Sequence, residues 1–177
     1  MITLKNISGS ALQQEEEKIL EILSTVTDPE VPVLTILDLG IVRQINVTPT
    51  DVSTVEIVIT PTYSGCPAMD VIGMNIRLAL LEKGYKNITI TQVLSPAWTT
   101  DWMTTSGKEK LKAYGIAPPQ GQSSRIEKLL FEEDKNIECP LCNSINTRLI
   151  SQFGSTACKA LYQCNDCKEP FDYFKCH

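Results

Sequence analysis

Histidine is almost missing from this chain of 177 residues, the single one being His177. A di-iron carboxylate centre built from paired Glu-x-x-His motifs is therefore rejected on ligand count, and with it an oxygenase that carries its own active site. No apolar run approaches the ~20 residues that cross a bilayer. Met1-Ile2-Thr3-Leu4-Lys5 lacks the charged, apolar and small-residue order of a signal peptide, so a cytoplasmic protein without membrane contact is expected. Positive charge is also short: 16 Lys and Arg stand against 21 Asp and Glu, a net charge of -5. Proteins that hold nucleic acid by neutralising phosphates normally carry a basic face, so this balance weighs against such a partner. No internal repeat or low-complexity tract is present.

Cysteine, by contrast, is plentiful. There are seven, and six fall between Cys139 and Cys176. In a reducing compartment an odd, clustered set argues for metal ligands rather than disulfides. Cys139-Pro140-Leu141-Cys142 and Cys164-Asn165-Asp166-Cys167 stand 21 residues apart. Each CxxC turn sets two thiolates on one knuckle, and two knuckles complete a tetrahedral S4 site for Zn2+. Such a site leaves no open position, so its metal is structural and adds folding energy to a segment too small for its own core. Iron in a rubredoxin-like site is the alternative metal. Cys158 and Cys176 are left over, either as small apolar residues or as a second thiol pair. Thr147 to Gln152 and Ala160 to Cys164 read as the strands of a ribbon, with Phe171, Tyr173 and Phe174 as core beneath it.

The N-terminal part alternates between helical and strand periods. Ile19, Ile22, Leu23 and Val26 recur on one face, which predicts a helix over residues 11–26. It stops at Thr27-Asp28-Pro29-Glu30, where the proline blocks continuation and two carboxylates flank it. These are solvated acids at a helix stop, or a pair of oxygen ligands. Ile41 to Val47 and Val52 to Thr60 read as strands of a hairpin. A second helix follows, with Ile72, Ile76, Ala79 and Leu80 on its core stripe, and Lys86 to Leu94 reads as a third strand. This helix-strand-strand-helix-strand order predicts an α/β (α+β type) two-layer domain with both helices on one face of a small mixed sheet. Trp98 and Trp102 fit best as plugs for its open end, and a short helix runs from Gly107 to Tyr114. Ala117 to Ser124 is rich in Pro, Gly and Ser, which divides the chain into residues 1–116, a linker 117–124 and a ribbon 125–177.

One cysteine stands apart, at the end of Thr60-Pro61-Thr62-Tyr63-Ser64-Gly65-Cys66-Pro67. Pro67 suits the first helical position, which makes Cys66 the expected N-cap. There the positive end of the helix lowers a thiol pKa and prepares the sulfur as nucleophile or metal ligand. The competing reading is a small buried residue closing a turn.

Asp28-Pro29-Glu30-Val31-Pro32, Leu39-Gly40-Ile41-Val42, the stretch from Thr60 to Pro67, and Pro96-Ala97-Trp98-Thr99-Thr100-Asp101-Trp102 resemble the small domain of SufT-like iron-sulfur assembly proteins. Phe153-Gly154-Ser155-Thr156-Ala157-Cys158-Lys159-Ala160-Leu161-Tyr162 and Glu169-Pro170-Phe171-Asp172-Tyr173-Phe174-Lys175-Cys176 resemble the PaaD (PaaJ) family of phenylacetate degradation. The resemblance covers about residues 16 to 177 and implies a non-enzymatic accessory protein of the phenylacetyl-CoA epoxidase system. Its expected task is iron-sulfur cluster assembly or delivery, and its expected partners are the epoxidase components, above all the iron-sulfur reductase, together with the iron-sulfur assembly machinery. Cys66 would then hold iron or a cluster transiently, alone or paired with Cys66 of a second chain in a homodimer, and Asp28 and Glu30 would be the family's acidic motif. A non-catalytic module that docks the oxygenase components is the alternative. Asn143 departs from the glycine that often follows the first CxxC, but asparagine tolerates the left-handed backbone a knuckle needs.

Overall fold

A computed structural model describes residues 10–48, 51–120 and 137–175. The expected turn residues 49–50, the unassigned segment 125–136, Cys176 and His177 lie outside the described residues. The chain forms two compact units, Met1–Trp98 and Thr99–His177. Residues 117–120, the described part of the expected linker, lie inside the second.

In the first unit, α1 (Ser10–Leu23) is followed by β1 (Val42–Thr48), β2 (Asp51–Ile59), α2 (Ala68–Glu82) and β3 (Asn87–Gln92). β1 and β2 are antiparallel, and β3 joins the other edge of β2 in parallel, giving the expected mixed sheet in the order β1-β2-β3. Val55, Ile57 and Ile59 point into the core and Glu56 and Val58 do not, as period-two patterning requires. α1 packs on α2 and β1, and α2 packs on β3. Ile19, Leu23, Ile72, Ile76 and Leu80 fill the layer between helices and sheet.

α1 ends at Leu23, short of the expected residue 26, yet Val26 is still buried. After the helix its N–H donates to Leu23 O and its carbonyl accepts from Ile36 N at 3.0 Å. This closes the loop from Asp28 to Leu34 over the core. Trp98 is buried, and its indole N–H donates to Leu39 O at 2.8 Å, anchoring the turn that leads into β1. The opposite face of the sheet is polar: Asn46 donates to Glu56 at 2.9 Å and Thr91 donates to Glu56 at 2.6 Å. These two donors hold the Glu56 carboxyl below its usual pKa.

In the second unit, Thr104 caps α3 (Thr105–Ala113) by accepting from Gly107 N. β4 (Thr147–Ser151), β5 (Lys159–Cys164) and β6 (Pro170–Phe174) form an antiparallel ribbon in sequence order. Among the described strands the third ribbon strand is the one that periodicity did not predict. Ala117 pairs with it, donating to Asp172 O at 2.8 Å and accepting from Phe174 N at 3.0 Å. Lys159 is buried in this sheet, with Asp172 as its ion-pair partner at 3.6 Å. Gly154 makes room for that carboxylate, since a Cβ there would stand 2.8 Å from Asp172 Oδ1.

Candidate functional site

The four sulfurs of Cys139, Cys142, Cys164 and Cys167 lie within 4.8 Å of one another. Each knuckle turns on a left-handed residue just past its second cysteine, Asn143 at φ 62° and Lys168 at φ 67°. The departure at Asn143 thus keeps the backbone the knuckle needs. Main-chain bonds tie each turn, Asn143 N to Cys139 O at 2.9 Å and Cys164 N to Glu169 O at 3.0 Å. Asp166 laces the two knuckles together through Ser144 and Asn146. Beneath them Cys139 and Cys164 are buried with Ala117, Ile137 and Phe171, and Tyr162 and Tyr173 pack alongside.

Whether the set fits a metal can be tested on distance. Tetrahedral Zn–S bonds of about 2.3 Å separate sulfurs by about 3.8 Å. The structure gives 3.8 Å for Cys139–Cys167 and 3.6 Å for Cys142–Cys164. The residues fit the ion, all four positions are filled by protein, and the metal would supply cross-linking rather than reactivity. Crowding splits the thiols. The Cys167 N–H and neighbouring donors bring Cys164 down to about 7. The Glu169 N–H favours a Cys167 thiolate, but burial and the surrounding sulfurs push it up to about 12. Cys158 is buried outside this group, with its sulfur 3.0 Å from Thr156 Oγ1.

Cys66 is placed by the junction of β2 and α2. Thr60 N donates to Ile41 O at 2.8 Å, which fixes the end of β2. Gly65 then turns the chain at φ 80°, where no neighbour would obstruct a Cβ, so its role is conformational. The helix starts one residue later than expected: Pro67, at φ -69° and ψ -21°, holds the N-cap position, and Cys66 precedes it. Cys66 O still accepts from Met69 N at 3.3 Å.

The expected fall in the Cys66 pKa is not found. Burial pushes the half-buried thiol up, and the charges of Glu30 and Asp28 push the same way. Donors from the Ala68 N–H and the Tyr63 side chain oppose them without prevailing. Helix-end stabilisation is worth a fraction of a kcal/mol to about 1 kcal/mol, which desolvation readily exceeds. The charges of Asp28 and Glu30 thus reach Cys66 through space. Asp28 Oδ1 is also a local cap, accepting from Glu30 N at 2.7 Å and Val31 N at 2.9 Å. These three residues do not converge as tightly as the cysteines of the ribbon, which are the one such metal-ligand group among the described residues. Tyr63 and Thr60 were not singled out individually, although both lie in the stretch that carries Cys66. Thr60 Oγ1 is the one buried side-chain polar atom without a hydrogen-bond partner among the described residues.

A cleft of about 460 Å³ opens between α1 and the segment after α2, lined by Glu15, Lys18, Glu21, Ile22, Lys83 and Tyr85. It lies at the end of α2 away from Cys66. No described helix is long and apolar enough to cross a membrane.

Comparison with known proteins finds a match in each part of the chain. Residues 16–91 match the family described as iron-sulfur cluster assembly protein, and residues 123–175 match the PaaD zinc beta ribbon domain. The class is thus an iron-sulfur assembly domain followed by a zinc ribbon. The chain is 51% identical over 159 residues, 90% of its length and 92% of the relative's, to an Escherichia coli K12 protein provisionally assigned as a component of 1,2-phenylacetyl-CoA epoxidase. It belongs to that PaaD family. It is also 37% identical over 92 residues, 51% of this chain and 85% of the relative, to an Fe-S protein maturation auxiliary factor of Porphyromonas gingivalis. A crystal structure of a domain of unknown function, DUF59, from Bacillus anthracis superposes with a TM-score of 0.52 at 26% identity, covering 56% of this chain and 92% of that one.

Proposed function

We propose that the chain is a maturation factor of the phenylacetyl-CoA epoxidase system rather than an enzyme, with Cys66 as a transient ligand for iron or an iron-sulfur cluster. The observation that supports this reading is a single half-buried thiol, reached by the charges of two carboxylates, in the assembly-type domain and separate from the closed S4 set. At neutral pH the raised pKa keeps Cys66 a thiol. Binding of Fe2+ replaces its proton, forming one Fe–S bond and releasing H+, while Asp28 and Glu30 attract the cation. A client thiolate then adds to the metal, the bond to Cys66 breaks, and Cys66 takes a proton back. One thiolate ligand is broken by one exchange, which suits delivery, whereas four thiolates suit retention. The ribbon cysteines would hold a structural Zn2+. The epoxidase's iron-sulfur reductase is the proposed client, and the iron-sulfur assembly machinery the proposed source.

A second reading, a module that docks oxygenase components with Cys66 only structural, draws on the relative's assignment to the epoxidase itself. Anaerobic reconstitution with ferrous iron and sulfide separates the two. Metal analysis and visible absorption should show iron on the wild type that Cys66→Ser lacks, with zinc equal in both. Equal iron on both proteins would reject the maturation reading.

A further inference from the structure

α2 is apolar on two opposite sides. Ile72, Ile76 and Leu80 face the core, while Val71, Met74, Leu78 and Leu81 remain 45%, 63%, 51% and 46% exposed. At 100° per residue the second stripe lies across the helix from the first. Its spacings of three, four and three residues are those of successive a and d positions, the pattern that seats one helix against another. An apolar strip of this kind on a surface marks an interaction site.

We propose that a second copy of this chain occupies the strip, α2 against α2 in parallel, so that the two Cys66 thiols become neighbours. With Val71 and Leu78 at a, and Met74 and Leu81 at d, Arg77 takes a g position and Glu82 the next e position. In a parallel pair these face one another across the seam, so Arg77, one of whose amino groups donates to Ile88 O of its own chain at 2.8 Å, has its remaining guanidinium donors for the partner copy's Glu82, and symmetry repeats the pair. Cys66 lies just before the first residue of α2, hence both thiols come to the same end of the seam. This step rests on the reading of Cys66 as a cargo ligand. A cluster takes four protein ligands; two chains supply two thiolates and the flanking carboxylates, which one chain cannot. An antiparallel pair would set Asp70 against the partner copy's Arg77 and hold the thiols roughly 22 Å apart, the length of the helix.

The exposed parts of the four side chains offer roughly 350 Å² per copy, against the ~800 Å² of a standard stable interface. The empty pair is therefore weak, and cargo that bridges it strengthens it by mass action.

Anaerobic sedimentation velocity on the full chain tests this, with and without ferrous iron and sulfide. Wild type should show a concentration-dependent dimer that tightens at least tenfold when loaded. Leu78→Glu and Met74→Glu, both at exposed positions, should each weaken the dimer at least tenfold at unchanged melting temperature. A short bis-maleimide should link Cys66 to Cys66 in wild type and not in either variant. Unaltered sedimentation of both variants, a wild type that stays monomeric when loaded, or a dimer without the Cys66 cross-link would each overturn the proposal. Cys66→Ser should keep the weak empty dimer; if it also kept its iron, the cargo reading would fall while the seam stood.

Discussion

Cys66 should behave as an ordinary or sluggish thiol, and its loading should follow pH. Burial, Glu30 and Asp28 all push its pKa upward. An ordinary thiol at about 8.5 is about 3% thiolate at pH 7, and the upward shift leaves Cys66 with less. A thiol activated to about 7 would instead be half ionised, more than tenfold higher. Iodoacetamide alkylation of zinc-loaded protein, followed on the Cys66 peptide by mass spectrometry, should therefore accelerate about tenfold per pH unit from 6 to 8, without a plateau. The ferrous concentration for half-loading should fall by about the same factor per unit, because each ion displaces one proton. Replacing both carboxylates, Asp28→Asn with Glu30→Gln, removes two charges that oppose the thiolate, so the alkylation profile should move to lower pH. A plateau below pH 8, or a double variant whose profile stays put or moves upward, would refute the electrostatic account.

Trp98→Phe removes the donor to Leu39 O and leaves a carbonyl without its partner. The expected loss is about 1–3 kcal/mol, read by urea unfolding of the first unit's signal. Gly154→Ala sets a methyl 2.8 Å from Asp172 Oδ1 and disturbs the partner of buried Lys159. It should cost about 1–3 kcal/mol, seen as faster amide exchange in β5 and β6 but not in α2. Cys164→Ser, or a strong chelator, should release the ribbon metal and abolish exchange protection from β4 to β6 while β1 to β3 stay protected. Retained protection in the ribbon would show that zinc is not its staple.

Much of the fold was legible because burial imposes period. Val55, Ile57 and Ile59 alternate with polar neighbours, and Ile72, Ile76 and Leu80 recur one helical turn apart, so strand and helix follow from spacing alone. The ribbon's four ligands were equally plain, since CxxC chemistry is local. β6 was not, because Phe171 and Phe174 are buried out of step with strict alternation. The outward stripe on α2 was hidden by the inward one: a helix apolar on both sides shows no single clean face. The thiol's direction of shift was missed for a different reason. Sequence places Cys66 near a helix start but shows neither the burial of its thiol nor that the charges of Asp28 and Glu30, far away in the chain, reach it.

The indole of Trp98 fastens a turn made 59 residues earlier. At about 5–20 residues per second of synthesis, that turn waits roughly 3–12 s for its anchor. Thr60 to Pro67 and the whole of α2 are made within that interval. A chain cut after β3 would retain the thiol and every strand of the first sheet, yet lack the fastening on the acidic loop's far end. Order of synthesis thus makes the acidic loop the oldest part of the site, the thiol the next and the Trp98 fastening the youngest.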